Sequence, residues 1–335
     1  MNHSPVVAAL VFVPAAAVSL SASMVLVNRL ERVCARLATP EAMLGLVVAL
    51  AADGPEIVSA VAALLSGQRD VGVGVVLGSN AFNLAALLGL AAIVARRILL
   101  HRRVVLLEGA VALWMAVLSI AVVLRILTPV PALVLALLVL APYVAISAVN
   151  PRERHRLPLP PAWREWLAGA VSEEELEIAD ALKAQRGRTG DAAVAALALG
   201  VVIAASVAME RAASAIGVAL SIPGAITGGL VLAAVTSLPN AVAAVYLATR
   251  DRASATLSQA LNSNSLNVLA GLLVPAVLLG LGALTTATSV TAAWYLGLTV
   301  LTVALAFGYR GLARGTGIVI VLTYLALLPV LIGLG

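Results

Sequence analysis

The chain has 335 residues, 62% of them hydrophobic and only 11% charged, with a formal net charge of +5. That balance is too apolar for a water-soluble domain and points to a polytopic membrane protein. The apolar runs are continuous instead of short and alternating, which excludes a transmembrane β-barrel.

A helix needs about 20 apolar residues to cross the hydrocarbon core. Ten stretches qualify, at roughly 5–27, 41–65, 73–95, 104–124, 129–149, 192–209, 222–248, 255–282, 289–308 and 316–334. The first has no Lys or Arg ahead of its apolar core and is followed at once by Arg29, Arg32 and Arg36. It therefore reads as a retained span and not as a cleaved signal peptide. A single cysteine, Cys34, leaves no internal disulfide to form.

The basic surplus is a topology signal. With the N-terminus outside, the inner loops hold Arg29, Arg32, Arg36, Arg96, Arg97, Arg102, Arg103, Arg152, Arg154, Arg156, Arg164, Lys183, Arg186, Arg188, Arg250, Arg252, Arg310 and Arg314. Only Arg69, Arg125 and Arg211 stay outside. Eighteen against three predicts both termini on the outer side. Nucleic-acid binding is not expected. The Arg-over-Lys bias and the abundance of Ala, Val and Leu suggest a GC-rich bacterial gene, hence a bacterial plasma membrane.

The chain divides at a polar segment, about residues 150–191. Its first part, NPRERHRLPLPPAWREW, is basic and proline-rich and reads as a cytoplasmic loop. Ser172 followed by Glu175 is a capping-box signature for a helix start. Val171, Leu176, Ile178 and Leu182, with Trp163 and Trp166, suggest a short amphipathic helix on the membrane surface. The acids Glu173, Glu174, Glu175 and Glu177 read as its solvated first turns.

Five apolar stretches precede this segment (1–149) and five follow it (192–335), and an internal repeat relates the halves at an offset of 184 residues. GLVVALAADGPEIVSAV, from Gly45, lies over GLVLAAVTSLPNAVAAV, from Gly229. LGSNAFNLAALL lies over LNSNSLNVLAGL, matching Ser79 to Ser263, Asn80 to Asn264 and Asn83 to Asn267. Pro55 falls on Pro239 and Glu56 on Asn240. Five helices is an odd number, so the copies cross the membrane in opposite senses. Inverted repeats with interrupted helices are the layout of secondary transporters, with the binding site at the midplane. The expected fold class is thus all-α, about ten transmembrane helices in two inverted five-helix repeats.

The polar residues of the repeat gather on helix faces. Asp53 and Glu56 are three apart, as are Ser237 and Asn240, with Thr236 beside them. Ser79 and Asn83 are four apart, as are Ser263 and Asn267. Each proline leaves a carbonyl one turn earlier without its helical donor, which in a membrane must find a new partner or face a cavity. Oxygen from carboxylate, amide, hydroxyl and carbonyl suits a hard cation such as Na⁺ or Ca²⁺. The set holds no His or Cys, which argues against zinc, copper or iron.

Ser, Thr and Asn also serve as helix–helix glue, the simpler reading for Thr236 or Ser265 alone; Asn80 and Asn264 fit either role. Intramembrane acids mark ion paths or proton relays, and this sets Asp53 and Glu56 apart. Glu108 and Glu210 sit near predicted helix ends and read as interfacial.

The motifs PEIVSAV and GSNAFN, repeated in inverted form, resemble the sodium/calcium exchanger superfamily of cation antiporters. The resemblance covers about 40–95 and 222–280. In that family the acidic Pro-Glu positions, the Thr-Ser before them and the Ser/Asn of the second helices coordinate the transported cations. Carried over, these roles fall on Glu56, Ser79, Asn83, Thr236, Ser237, Ser263 and Asn267. The resemblance further implies alternating access in which the first and sixth helices slide past the core.

Three departures stand out. Ala51-Ala52-Asp53 replaces the usual Gly-Thr-Ser, Asn240 replaces the second acid, and Asn262 replaces the Gly of the second Gly-Ser-Asn. Both acids now sit in one repeat. They repel, which favours a proton on one of them near neutral pH. Glu56 is the principal ligand expected, and Asp53 a second ligand or a coupling proton site.

The expectation is a cation antiporter, Ca²⁺ against Na⁺ or H⁺, with inorganic cations and the lipid bilayer as its partners and no cofactor. The alternatives are a monovalent cation/proton exchanger on the same scaffold, or a membrane protein that binds ions without transporting them. No nucleotide-binding loop or His/Cys cluster suggests an enzyme or an ATP-driven pump. The topology is open to a labelling test in whole cells, in a Cys34→Ser background. A cysteine at Gln68 should react with a membrane-impermeant maleimide and one at Arg103 should not; the reverse pattern would invert the orientation.

Overall fold

The structure is a computed structural model and describes residues 5–37, 47, 49–149, 160, 166, 188, 190–249 and 253–334. Each of the ten apolar stretches contains helix. In chain order these are α1 (Pro5–Arg36), α2 (Gly54–Leu65), α3 (Arg69–Ala95), α4 (Arg102–Val123), α5 (Pro129–Ala148) and α6 (Asp191–Ala219). Then come α7 (Gly224–Ile226, Thr227–Leu232 and Ala233–Ala248) and α8 (Ala253–Leu266, Asn267–Leu273 and Val274–Leu279). The chain closes with α9 (Thr286–Gly308) and α10 (Arg314–Leu334).

Eight of these are long and apolar enough to cross a bilayer. The exceptions begin the two repeat motifs. α2 has 12 residues, about 18 Å at 1.5 Å per residue, and follows helical residues 49–52 across a break at Asp53. Gly54-Pro55 sets its start, with proline pre-shaped for a first helical turn. The short apolar helix in α7, Gly224–Leu238, is the opposite half of the second repeat: under the repeat offset it corresponds to residues 40–54, and α2 corresponds to 238–249.

Burial separates core from periphery. The apolar window of α3 is 94% buried, whereas those of α1 and α6 are 22% and 33% buried. α2, α3, α7 and α8 pack on one another, with α4, α5, α9 and α10 around them, while α1 lies chiefly along α6. That outer pair is joined by Arg29 Nη1 to Asp191 Oδ1 at 2.6 Å and by Ser19 Oγ to Ser206 Oγ at 2.7 Å. Leu26, Ala51, Ala195, Ala198 and Val202 form a small apolar cluster that seats the pair beside the start of α2.

Repeat symmetry is visible in the loops. The turn after α3 passes through left-handed Arg96 (φ 67°), and the turn after α8 through left-handed Gly280 (φ 69°). These positions correspond under the repeat offset. The α3–α4 connection pairs as β1 (Arg97–Leu99) with β2 (Gly311–Ala313), antiparallel, between α9 and α10. At the opposite end Arg125 Nε, between α4 and α5, donates to the Gly282 carbonyl between α8 and α9 at 3.1 Å.

Several expectations need correction. α1 extends to Arg36 and α6 to Ala219, beyond the predicted ends at 27 and 209. The apolar run of α6 stops at Glu210 in sequence, but the helix does not, because that carboxyl is bonded inside it. Glu108 and Glu210, expected near the membrane interface, are both buried within the protein, at 1% and 0% exposed. The amphipathic helix expected around 171–182 lies outside the described residues.

The crossing of α3 and α7 depends on glycine. A Cβ on Gly78 would lie 2.0 Å from the Gly229 carbonyl oxygen, and one on Gly228 2.1 Å from the Val71 carbonyl oxygen. Small residues let helix backbones touch in membranes, and here backbone meets backbone with no flexible side chain to yield. Gly78→Ala should therefore destabilise the fold by at least about 1–3 kcal/mol through overpacking. A lower midpoint of thermal unfolding in detergent would show it; an unchanged midpoint would contradict the close crossing.

Candidate cation-binding site

Four asparagines lock α3 to α8. Asn80 Nδ2 donates to the Asn264 carbonyl at 3.1 Å, and Asn264 Nδ2 returns the bond to the Asn80 carbonyl at 3.0 Å. Asn83 Nδ2 donates to Asn264 Oδ1 at 3.1 Å, and Asn267 Nδ2 to Asn80 Oδ1 at 3.2 Å. Each bond has its counterpart in the other repeat. All four side chains are buried. The helices widen into π turns here, Leu84–Leu90 just past Asn83 and Asn267–Leu273 from Asn267. Single π turns of this kind recur at functional sites, where they re-aim side chains off a regular ladder.

Against this clasp sit two acids, Glu56 in the first turn of α2 and Asp53 at its N-cap. Glu56 Oε1 accepts from Ser237 Oγ of α7 at 2.6 Å, and Oε2 accepts from Asn267 Nδ2. Asp53 Oδ1 accepts from Asn240 Nδ2 of α7 at 2.8 Å and from Ser263 Oγ of α8 at 2.7 Å. Asn83 Nδ2 also donates to Ser263 Oγ at 3.2 Å. The carboxyls of the first repeat are thus held chiefly by hydroxyls and amides of the second.

Of the expected site residues, the network joins Asp53, Glu56, Asn83, Ser237, Asn240, Ser263 and Asn267. Ser79 lies beside Glu56, and its hydroxyl donates to the Val76 carbonyl at 3.1 Å. Thr236 is not joined to the carboxyls: its hydroxyl turns back on its own helix, to the Leu232 and Ala233 carbonyls at 2.9 and 3.2 Å. Asn80 and Asn264, for which ligand and glue were both open, act as the connectors of the two repeats.

The electrostatics of the site are one-sided. Asp53 and Glu56 are 0% and 1% exposed, and no basic side chain among the described residues forms an ion pair with either. Three buried acceptors of this network, Asp53 Oδ2, Asn83 Oδ1 and Asn267 Oδ1, have no donor. Leaving a buried acceptor without a donor costs about 1–3 kcal/mol, and an unpaired buried charge costs more. Oxygens without donors are what a dehydrated hard cation requires. No group of three or more His, Cys, Asp or Glu placed to hold a metal ion occurs among the described residues.

Two features had only faint signals in the sequence. Pro55 removes the donor for the Ala51 carbonyl, as its position predicts, and Ser23 of α1 supplies a replacement at 3.3 Å. Ser23 also reaches the Ala52 carbonyl at 3.5 Å. Nothing in α1 singles out that serine until its burial is seen. Asn262, the departure from the family pattern, donates to Tyr143 Oη at 3.1 Å, and Tyr143 Oη donates to Glu108 Oε1 at 2.8 Å. That chain explains why Glu108 is buried, and Asn262 was its one visible sign.

A family model described as sodium/calcium exchanger protein matches residues 7–150 and 191–333. No curated protein matches the chain. Among solved structures the chain is similar to the H⁺/Ca²⁺ exchanger CAX, with a TM-score of 0.74 at 15% identity over 96% of this chain and 81% of that one. It is also similar to the sodium-calcium exchanger NCX_Mj soaked with 10 mM Na⁺ and zero Ca²⁺, with a TM-score of 0.61 at 18% identity, covering 97% of this chain and 99% of that one. The same exchanger soaked with 2.5 mM Na⁺ and 10 mM Sr²⁺ gives a TM-score of 0.60 at 18% identity, with coverage again 97% and 99%. At these identities the likeness shows the fold.

Asn264→Ala removes the amide that caps the Asn80 carbonyl and the acceptor that holds Asn83. It should lower stability by about 2–5 kcal/mol, from two buried groups left unsatisfied. Thermal unfolding of the purified variant checks this, and a shift no larger than that of a lipid-facing Ala substitution would refute the clasp.

Proposed function

This chain belongs to the sodium/calcium exchanger protein family, and on that footing we propose that it is a secondary active antiporter carrying Ca²⁺ against Na⁺ or H⁺. The observation that carries the proposal is the pair of buried carboxyls, Asp53 and Glu56, set among donorless oxygens with no basic partner among the described residues. Two carboxylates in a water-poor pocket cannot both stay charged and empty-handed. One Ca²⁺ neutralises both; two monovalent cations or two protons do the same. That equivalence is the basis of exchange, since either load leaves a neutral site.

Alternating access then requires the site to meet one side of the membrane at a time. α2, α3, α7 and α8 are tied by the asparagine clasp and the glycine crossing and move as a unit. The α1–α6 pair is peripheral, is tied mainly to itself, and touches the site through Ser23. It is the element we assign to opening and closing the two sides, with both termini on the outer face.

Asn240 favours a second reading. It donates to Asp53 where the family usually has an acid, so it acts as a donor in the arrangement described and adds no negative charge. A site with one carboxylate ionised and the other protonated would suit a monovalent cation exchanged for H⁺.

Radiolabelled Ca²⁺ uptake into proteoliposomes, under outward gradients of Na⁺, K⁺ or H⁺ in parallel, separates these readings. Gradient-driven uptake that falls at least about tenfold in Glu56→Gln, equal to 1.4 kcal/mol or more of lost ion stabilisation, supports the antiporter. Tight vesicles that carry no Ca²⁺ under any gradient would overturn it. Asn240→Glu restores a carboxylate to the second repeat and should shift preference from monovalent ions towards Ca²⁺; an unchanged preference would count against the role given to Asn240.

A further inference from the structure

The second repeat lacks an acid at Asn240, but it does not lack a buried carboxyl. Glu210 lies on α6, nine residues before Ala219 and so about 13 Å from that end of the helix. It is 0% exposed. Its Oε1 accepts from Ser214 Oγ, one turn on, at 2.9 Å, and its Oε2 has no hydrogen-bond partner. One turn back, Ser206 makes the buried hydroxyl pair with Ser19 of α1. The position corresponding to Glu210 in the first repeat is Leu26, which sits in an apolar cluster. Glu210 therefore has no symmetry-related partner and no place in the cation network.

Among the described residues no basic side chain forms an ion pair with it. α6 packs against α1, α2 and the π turn of α7. Leu10–Ser23 of α1 and Thr227–Leu232 of α7 contain no ionisable side chain, and α2 with its N-cap contributes only Glu56 and Asp53, which Ser237, Asn267, Asn240 and Ser263 already hold. On α6 itself the neighbouring charge is Arg211, which is exposed and not within salt-bridge distance of Glu210; its charge favours the anion, but from solvent and without bonding Oε2. An ionised carboxylate with a single hydroxyl donor is poorly solvated in such a place. A proton on Oε2 removes the charge without needing a further partner.

We propose that Glu210 is a second ion site of this protein, a proton-binding carboxyl carried on the α1–α6 pair and separate from the Asp53/Glu56 site. In the packed arrangement the group holds its proton. Displacement of the pair that brings Oε2 to water lets the proton leave, and the charge then opposes return to the packed position until a proton is regained. Proton binding is thereby linked to the position of the moving pair, whichever ion is exchanged at the midplane. The link to transport rests on the antiporter reading; the proton site itself does not.

The deciding measurement is modification of the wild-type protein in vesicles by a hydrophobic carbodiimide, which attacks membrane-buried carboxylic acids. Peptide mass spectrometry at Glu210 is read across pH. Labelling that is strong at low pH and fades as pH rises is expected; no labelling, or labelling independent of pH, overturns the proton site. Ser214→Ala removes the hydroxyl that stabilises the anion, so its labelling midpoint should move to higher pH. An unmoved midpoint would contradict the geometry. Ca²⁺ uptake is then followed against pH in Glu210→Gln, a permanent mimic of the neutral acid. Its profile should be flatter than that of wild type, and a superimposable profile overturns the link to movement. Loss of equilibrium Ca²⁺ binding in E210Q at every pH would place Glu210 in the cation site and overturn its separateness. Should wild type carry no Ca²⁺ at all, the antiporter reading falls while the labelling still decides whether Glu210 holds a proton.

Discussion

The reciprocal bonding of four asparagines between α3 and α8 is the constraint on which the rest of the structure depends. Each amide donates to the other repeat, so neither helix can slide or rotate without breaking several bonds at once. In hydrocarbon such bonds have no water to fall back on, which makes their loss more consequential than their individual strength suggests. The same asparagines carry the functional geometry: Asn267 reaches Glu56, and Asn83 reaches the serine that holds Asp53. The framework and the site are therefore one network.

That network is symmetric in its framework and asymmetric in its charge. The amides and hydroxyls alternate between repeats, yet both carboxyls come from α2 and its N-cap. The second repeat answers with Ser237, Asn240, Ser263 and Asn267, all donating. Charge from one half and hydrogen-bond donors from the other make the two halves mutually necessary. The nearly full burial of Asp53 and Glu56 is tolerable only because those donors surround them.

The architecture was legible in the sequence because its signals are redundant. Ten apolar runs, a repeat at constant offset and two prolines at matching positions each point to the same plan. Helix ends were less legible. Glu210 looked like the edge of a span because an acid usually marks one, but Ser214 satisfies part of it inside the helix, and this pairing depends on what α1 covers. The site was readable as a set of residue types on shared faces. Which of them meet was not: Thr236 stands beside Ser237 in sequence, yet its hydroxyl prefers carbonyls of its own turn. Ser23 was silent because one serine on a greasy helix has no pattern to betray it.

The asparagine clasp has a consequence beyond this single chain. Its bonds join Asn80 to Asn264 and back, so the two surfaces in contact are copies of one surface. A self-complementary patch of that kind is what an isologous dimer presents to its twin. A lone five-helix polypeptide inserted in both directions could have met itself through the same four amides before the halves were fused. Around that contact one half holds both acids of the central network and the other a buried carboxyl on α6. The contact keeps the symmetry of the repeat, and the charges around it break that symmetry.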